Sequence, residues 1–203
     1  MKQVNLISSV ILASVVSSMP GNVIAQQKKK EKPNVIFVLT DQWRKQALGF
    51  KGEDPVQTPH LDEFASWAVS FDNATSCRPV SGPGRACLFT GKYSINNGVF
   101  ANKVPLATDE ESMGRVFKAA GYATAKWHLN GMNDHVTDSV RRQGFDYFVQ
   151  SMGHQPFFQG YYVQDDKERT YIKGWAPTYE TQLGIEFIEK QKTSEQPFCL
   201  VLS

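Results

Sequence analysis

The run Asn34-Val35-Ile36-Phe37-Val38-Leu39-Thr40 constrains the fold more than any other stretch of the chain. It is apolar and β-branched without alternation, which fits a strand buried on both faces, as in a parallel sheet. Downstream of this run, helix and strand signals alternate. Thr58-Pro59 reads as an N-cap and first helical residue, and Leu61, Phe64, Ala65 and Ala68 repeat at helical spacing. Val69 to Phe71 is predicted as a short strand. Ser76 to Gly84, rich in Pro, Gly and Ser, is predicted as a loop that feeds a helix from Arg85 to Thr90. Ser112 to Ala120 places Met113, Val116, Phe117 and Ala120 on one face, with Gly121 as the stop. Tyr122 to Ala125 begins another strand, Tyr179 to Lys190 is amphipathic, and Phe198 to Ser203 is strand-like. The pattern predicts an α/β fold, a sheet with helices on both faces. No internal repeat is visible.

Composition narrows the function classes. With 203 residues, 41% hydrophobic and 21% charged, the chain can bury one good core. A net charge of +2, with no basic field, gives no reason to expect nucleic acid as a partner. Lys2, the small apolar stretch Val4 to Met19 and Val23-Ile24-Ala25 form a secretory signal pattern with cleavage expected after Ala25. The expected product is secreted or periplasmic and carries no stable membrane anchor. Residues 26–32, with Lys28-Lys29-Lys30, read as a solvated linker. Export permits disulfides, but the three cysteines Cys77, Cys87 and Cys199 fit no zinc spacing, and their pairing stays open.

Two places carry candidate chemistry. Asp41 follows the first strand directly, and ligand sites of open α/β sheets collect at the carboxyl ends of strands. Ser81-Gly82-Pro83-Gly84-Arg85-Ala86-Cys87-Leu88-Phe89-Thr90-Gly91 feeds a helix N-terminus, whose N–H groups and dipole suit an anion. Arg85 adds a planar fork that matches sulfate or phosphate oxygens. The same residues also fit a Gly/Pro-rich turn with a surface arginine.

The segment resembles the signature of the type I, formylglycine-dependent sulfatases. Ser81, Pro83, Arg85, Leu88, Thr90 and Gly91 fill its places, and Lys92-Tyr93 continues the match. Cys77-Arg78-Pro79 also begins like it, but only Ser81 brings Leu88-x-Thr90-Gly91 into register. The resemblance implies that Ser81 is oxidised by a sulfatase-maturating enzyme to formylglycine, whose hydrate is the nucleophile. It implies an alkaline-phosphatase-like mixed sheet. Pro33 to Gln42 resembles the family's opening strand and metal-binding aspartate, so Asp41, Gln42 and Ser81 are the expected ligands of a divalent cation, calcium foremost. Thr58-Pro59-His60-Leu61-Asp62 resembles a structural helix start. Lys126-Trp127-His128-Leu129 resembles a motif whose lysine and histidine contact sulfate and formylglycine. The expected catalytic set is therefore Ser81, Arg85, Lys126 and His128.

The implied reaction is hydrolysis of sulfate esters, with a sulfated carbohydrate as substrate. A phosphodiesterase or phosphonate monoester hydrolase of the same superfamily is the alternative enzyme, and a non-catalytic remnant the alternative of another class. Family members carry about three more residues before the Lys-Trp-His motif. Losing them would shorten a strand by ~10 Å and flip its alternation. Residues 33–203 are expected to be the N-terminal portion of a longer catalytic domain, because Ser203 stands at the end of a core strand. These residues alone are expected to hydrolyse little.

Overall fold

The computed structural model describes residues 32–127, 142–151, 157–165 and 168–203. The signal and linker residues up to 31 lie outside the described residues, as do Asn130, His135 and His154. Strands β1 (Val35–Val38), β2 (Ala123–Trp127), β3 (Tyr147–Ser151), β4 (Tyr161–Gln164), β5 (Thr170–Tyr171) and β6 (Phe198–Leu202) form a mixed sheet. Its order is β1-β6-β2-β3-β4-β5. The first three pairings, β1 with β6, β6 with β2 and β2 with β3, are parallel; β4 and β5 run antiparallel at the far side.

Helices cover both faces, as the alternation predicts. On one face α5 (Ala176–Gln191) lays Phe187 on Ala125, Trp127, Phe198 and Leu200. Trp127 is fully buried there, its ring 5.3 Å from Phe187 and 5.8 Å from Tyr147. An indole burying roughly 200 Å² at about 25 cal/mol per Å² contributes on the order of 5 kcal/mol. On the other face α2 (Ser81–Thr90) and α4 (Met113–Ala119), with the short α3 (Ser94–Asn97) between them in the chain, close over Phe148 and Val201, with Ala86, Phe89 and Met113 in that cluster. Gly121, at φ +85°, ends the α4 segment in the left-handed region that glycine enters at little cost.

Several sequence expectations are corrected. Among the described residues β1 lies at the sheet edge, bonded to β6, and it is not buried on both faces: Ile36 and Val38 are 52% and 62% exposed. They share the α5 side with Leu200 and Leu202 by register, but α5 packs over β6 and does not cover them. Helix α1 (Pro59–Trp67) starts where Thr58-Pro59 predicts, yet it buries none of its residues. It rests on the turn Gly49–Lys51, where Thr58 Oγ1 accepts from the Gly49 N–H at 2.7 Å and donates to Asp62 at 2.7 Å. Thr58 thus caps that turn instead of its own helix. Val69 to Phe71 is not a strand; both apolar side chains are exposed. The predicted loop ends earlier than Gly84, because α2 begins at Ser81. Pro83 is tolerated in the first turn, where its missing N–H has no helical acceptor.

Candidate active site

β1 delivers Asp41 and Gln42, two and three residues beyond Leu39, whose N–H donates to Leu202 and extends the ladder at 2.8 Å. The backbone then turns sharply: Gln42 has φ +32°, a left-handed value that a residue with a Cβ adopts at a cost. α2 begins beside this turn with Ser81 exposed and Arg85 buried one turn later. Asp41, Gln42, Ser81 and Arg85 line one cavity of about 940 Å³, together with Thr75 to Val80 and Leu88.

Arg85 is the electrostatic centre. Its Nη2 lies 3.8 Å from Asp41 Oδ2, and its Nη1 donates to Ser203 Oγ at the end of β6. Burial pulls the guanidinium below its ordinary value, and the Asp41 charge opposes that shift. The Asp41 side chain is itself 62% exposed, so its carboxylate remains open to a ligand.

The start of α2 is less open to an anion than the sequence suggests. Asn102 Oδ1 takes the Gly82 N–H at 2.8 Å, Pro83 has none, and the Gly84 N–H bonds to Val80 O at 2.7 Å. What remains for an anion is chiefly the dipole and Arg85. Asn102 and Ser203 were not legible as site residues. Each acts through one long-range bond, and neither sits in a motif.

Lys126 is not among the cavity-lining residues. It is 1% exposed, on the α2 side of β2, with its Nζ 5.1 Å from the Phe148 ring centre and 5.5 Å from that of Phe89. Burial pushes it down to about 7, and repulsion from Arg85 adds to the shift. In the observed register, Lys126 and Val201 are partners and share the face that α2 covers, while Ala125 and Trp127 point to α5. The strand alternation therefore brings Lys126 to the Arg85 side. His128 lies outside the described residues.

Among the described residues, no group of three or more His, Cys, Asp and Glu is placed to hold a metal ion. The oxygen donors at the site are the exposed Asp41 carboxylate, the Gln42 amide and the Ser81 hydroxyl. In type they suit a hard cation, and in number they fill part of a calcium shell of roughly 6–8 oxygens.

The comparisons with known proteins decide the family. Residues 33–203 match the family model described as Sulfatase. The chain belongs to the sulfatase family. This sulfatase chain is 43% identical, over 89% of its length, to an ulvan-active sulfatase of Formosa agariphila. It is 32% identical over 96% of its length to an N-acetylglucosamine-6-O-sulfatase of Bacteroides thetaiotaomicron. It spans about a third of the length of those curated relatives, 36% and 34%. A solved structure in complex with its substrate, D-glucosamine-2-N,6-O-disulfate, superposes with a TM-score of 0.75 at 30% identity. That match covers 84% of this chain and 34% of the other. The sheet and its covering helices are thus the alkaline-phosphatase-like fold of the sulfatases. Among the described residues, no helix is long and apolar enough to cross a membrane.

Proposed function

We propose that this protein hydrolyses sulfate monoesters of a sulfated glycan, with residue 81 as the nucleophile after oxidation of Ser81 to formylglycine. One observation carries the proposal: the buried Arg85 guanidinium stands one helical turn from the exposed Ser81 on the wall of one cavity, with the exposed Asp41 carboxylate 3.8 Å away. A fixed cation in a low-dielectric wall favours an anion in the cavity before it. The relatives named for glycan sulfates support sulfate as that anion.

The chain's own residues divide the work. Arg85 offers its fork to two sulfate oxygens and holds the ester in register with residue 81. Burial and Arg85 hold Lys126 well below its ordinary value, so a sulfate arriving in the cavity before it favours its protonated form. Its charge is then available as the sulfate leaves. His128 is assigned to proton transfer at the leaving oxygen. Formylglycine, when made by a maturating enzyme, supplies a geminal-diol nucleophile. Asp41, Gln42 and residue 81 would hold a divalent cation, calcium foremost, which would polarise the sulfate and acidify that diol. Residues 1–25 serve as the export signal and 26–32 as the linker to the catalytic part.

The test is the protein co-expressed with a sulfatase-maturating enzyme, purified and assayed for sulfate release. Mass analysis is expected to find Ser81 two hydrogens lighter, and these 203 residues alone to release sulfate only slowly from an aryl sulfate or a sulfated polysaccharide. Ser81→Ala is expected to abolish that release. Faster cleavage of a bis-aryl phosphate than of the aryl sulfate would overturn this reading in favour of the phosphodiesterase.

A further inference from the structure

Two thiols sit on the same cavity wall and have no part in the proposed hydrolysis. Cys77 is exposed on the loop before α2, and Cys87 is buried on α2. The loop folds back tightly on the helix. A Cβ at Gly84 would meet Arg78 O at 2.9 Å, and Arg78 Nη2 bonds to Phe100 O at 3.0 Å. Gly84 and Cys87 lie one turn apart on α2, so this fold-back sets Cys77 and Cys87 side by side on the same cavity wall, where each thiol shifts the other's titration. Cys87 Sγ also contacts Ser94 Oγ at 3.4 Å and accepts from Asn97 Nδ2 at 3.8 Å. The third cysteine, Cys199, is buried in β6.

We propose that Cys77 and Cys87 are a redox-modification site, a reversible disulfide that closes the Ser81 loop into a covalent ring. The arrangement gives each thiol a distinct part. Burial pushes Cys87 up, but its hydrogen bonds from Ser94, Cys77 and Asn97 outweigh burial and hold it below its ordinary value. Cys77 is raised, first through the neighbouring Cys87 and then through burial. Exposure makes Cys77 the point of entry, and Cys87, behind it on α2, is the resolving thiol.

The chemistry balances with a low-molecular-weight disulfide as oxidant. Exposed Cys77 loses its proton to solvent, and the thiolate so formed attacks one of its sulfurs, forming a mixed disulfide and releasing one thiol. The Cys87 thiolate then attacks the Cys77 sulfur and expels the second thiol. The two cysteines give up two electrons and two protons, and the external disulfide takes them up. The ring so formed contains Val80 and Ser81 and ties the cavity wall to α2. Its oxidised form therefore holds residue 81 and Arg85 in one fixed relation, and its reduced form frees the loop.

The test needs no sulfatase activity, so its failure and that of the proposed function are separate. The whole reduced chain is equilibrated across a glutathione/glutathione-disulfide series without oxygen, alkylated, and digested with trypsin without reduction. Cleavage after Arg85 separates the two cysteines, since Arg78 is shielded by Pro79. The expected product is the peptide Gly52–Arg85 joined by a disulfide to Ala86–Lys92, with Cys199 alkylated. The link is expected to persist in Cys199→Ser, to vanish in Cys77→Ser, and to raise the thermal midpoint by roughly 5–10 °C. Three alkylated cysteines across the whole series would overturn the proposal. So would a glutathione adduct left on Cys77 beside an alkylated Cys87, or a link from either cysteine to Cys199.

Discussion

Arg85 Nη2 stands 3.8 Å from Asp41 Oδ2, a pair in which the cation is buried and the carboxylate faces the cavity. The asymmetry sets what each partner contributes. An exposed carboxylate gains little from such a pair, whereas the buried guanidinium carries a desolvation cost that well-packed apolar atoms would not. Arg85→Met is therefore expected to leave thermal stability unchanged or higher. The same variant is expected to lower kcat/KM for an aryl sulfate by roughly 10²–10³-fold, as loss of a preorganised charge at a developing anion does. Parallel melting curves and kinetics on the matured protein check both halves.

Lys126 should leave a mark on stability against pH. Its folded value is about 7, against an ordinary 10.5. Between those values the unfolded chain holds a proton that the folded chain has released, so this residue makes stability rise with pH there. Below pH 7 both states are protonated and its penalty is full and constant. Lys126→Met is expected to remove that rise and to stabilise the chain at neutral pH. Urea unfolding from pH 7 to 9 is the measurement, and an unchanged slope in the variant would count against a neutral buried Lys126.

Glu180, half-buried on α5, predicts the opposite slope at lower pH. Burial pushes its carboxyl up to about 7 from 4.5. Between those values the folded chain holds the proton and the unfolded chain does not, so its contribution is present below pH 4.5 and fades as pH rises to 7. Glu180→Gln is expected to flatten the change across that window. It should leave the region above pH 7 dominated by Lys126.

The left-handed backbone at Gln42 makes a separate prediction. Gln42→Gly relieves a conformation costing a side-chain-bearing residue about 1–2 kcal/mol, partly offset by the extra freedom of glycine in the unfolded chain. A net gain of about 0.5–1 kcal/mol is expected. If the Gln42 amide is a calcium donor as proposed, the same variant binds calcium more weakly by calorimetry. Gln42→Ala, which keeps a Cβ in the strained position, loses the donor without gaining stability.

Much of the fold was legible because it is written in local pattern. The helix at Thr58-Pro59, the stop at Gly121, the amphipathic α5 and the strand at Phe198 each depend on residues close in sequence. The errors share another cause. β1 reads as a buried strand, but burial on two faces depends on what lies beside and above it, and here β6 lies on one side only. Val69 and Phe71 have strand-like side chains with no strand paired to them. Ser81 to Gly84 looks like loop by composition, yet first-turn positions tolerate Pro and Gly because their N–H groups need no helical acceptor.

The sequence by itself determined which residue types stand in the motifs and in what order. Asp41, Gln42, Ser81, Arg85 and Lys126 are types that suit the anion and the hard cation proposed above. Tertiary structure decided which of them meet. It put Arg85 between Asp41 and Ser203, gave the Gly82 N–H to Asn102, set Lys126 behind the cavity against Phe89 and Phe148, and put Cys77 and Cys87 on one cavity wall. The physical reason is common to all four. Residue type fixes what a group can do, but burial and charge–charge energies depend on distances that only packing sets, between residues as far apart in the chain as Arg85 and Ser203.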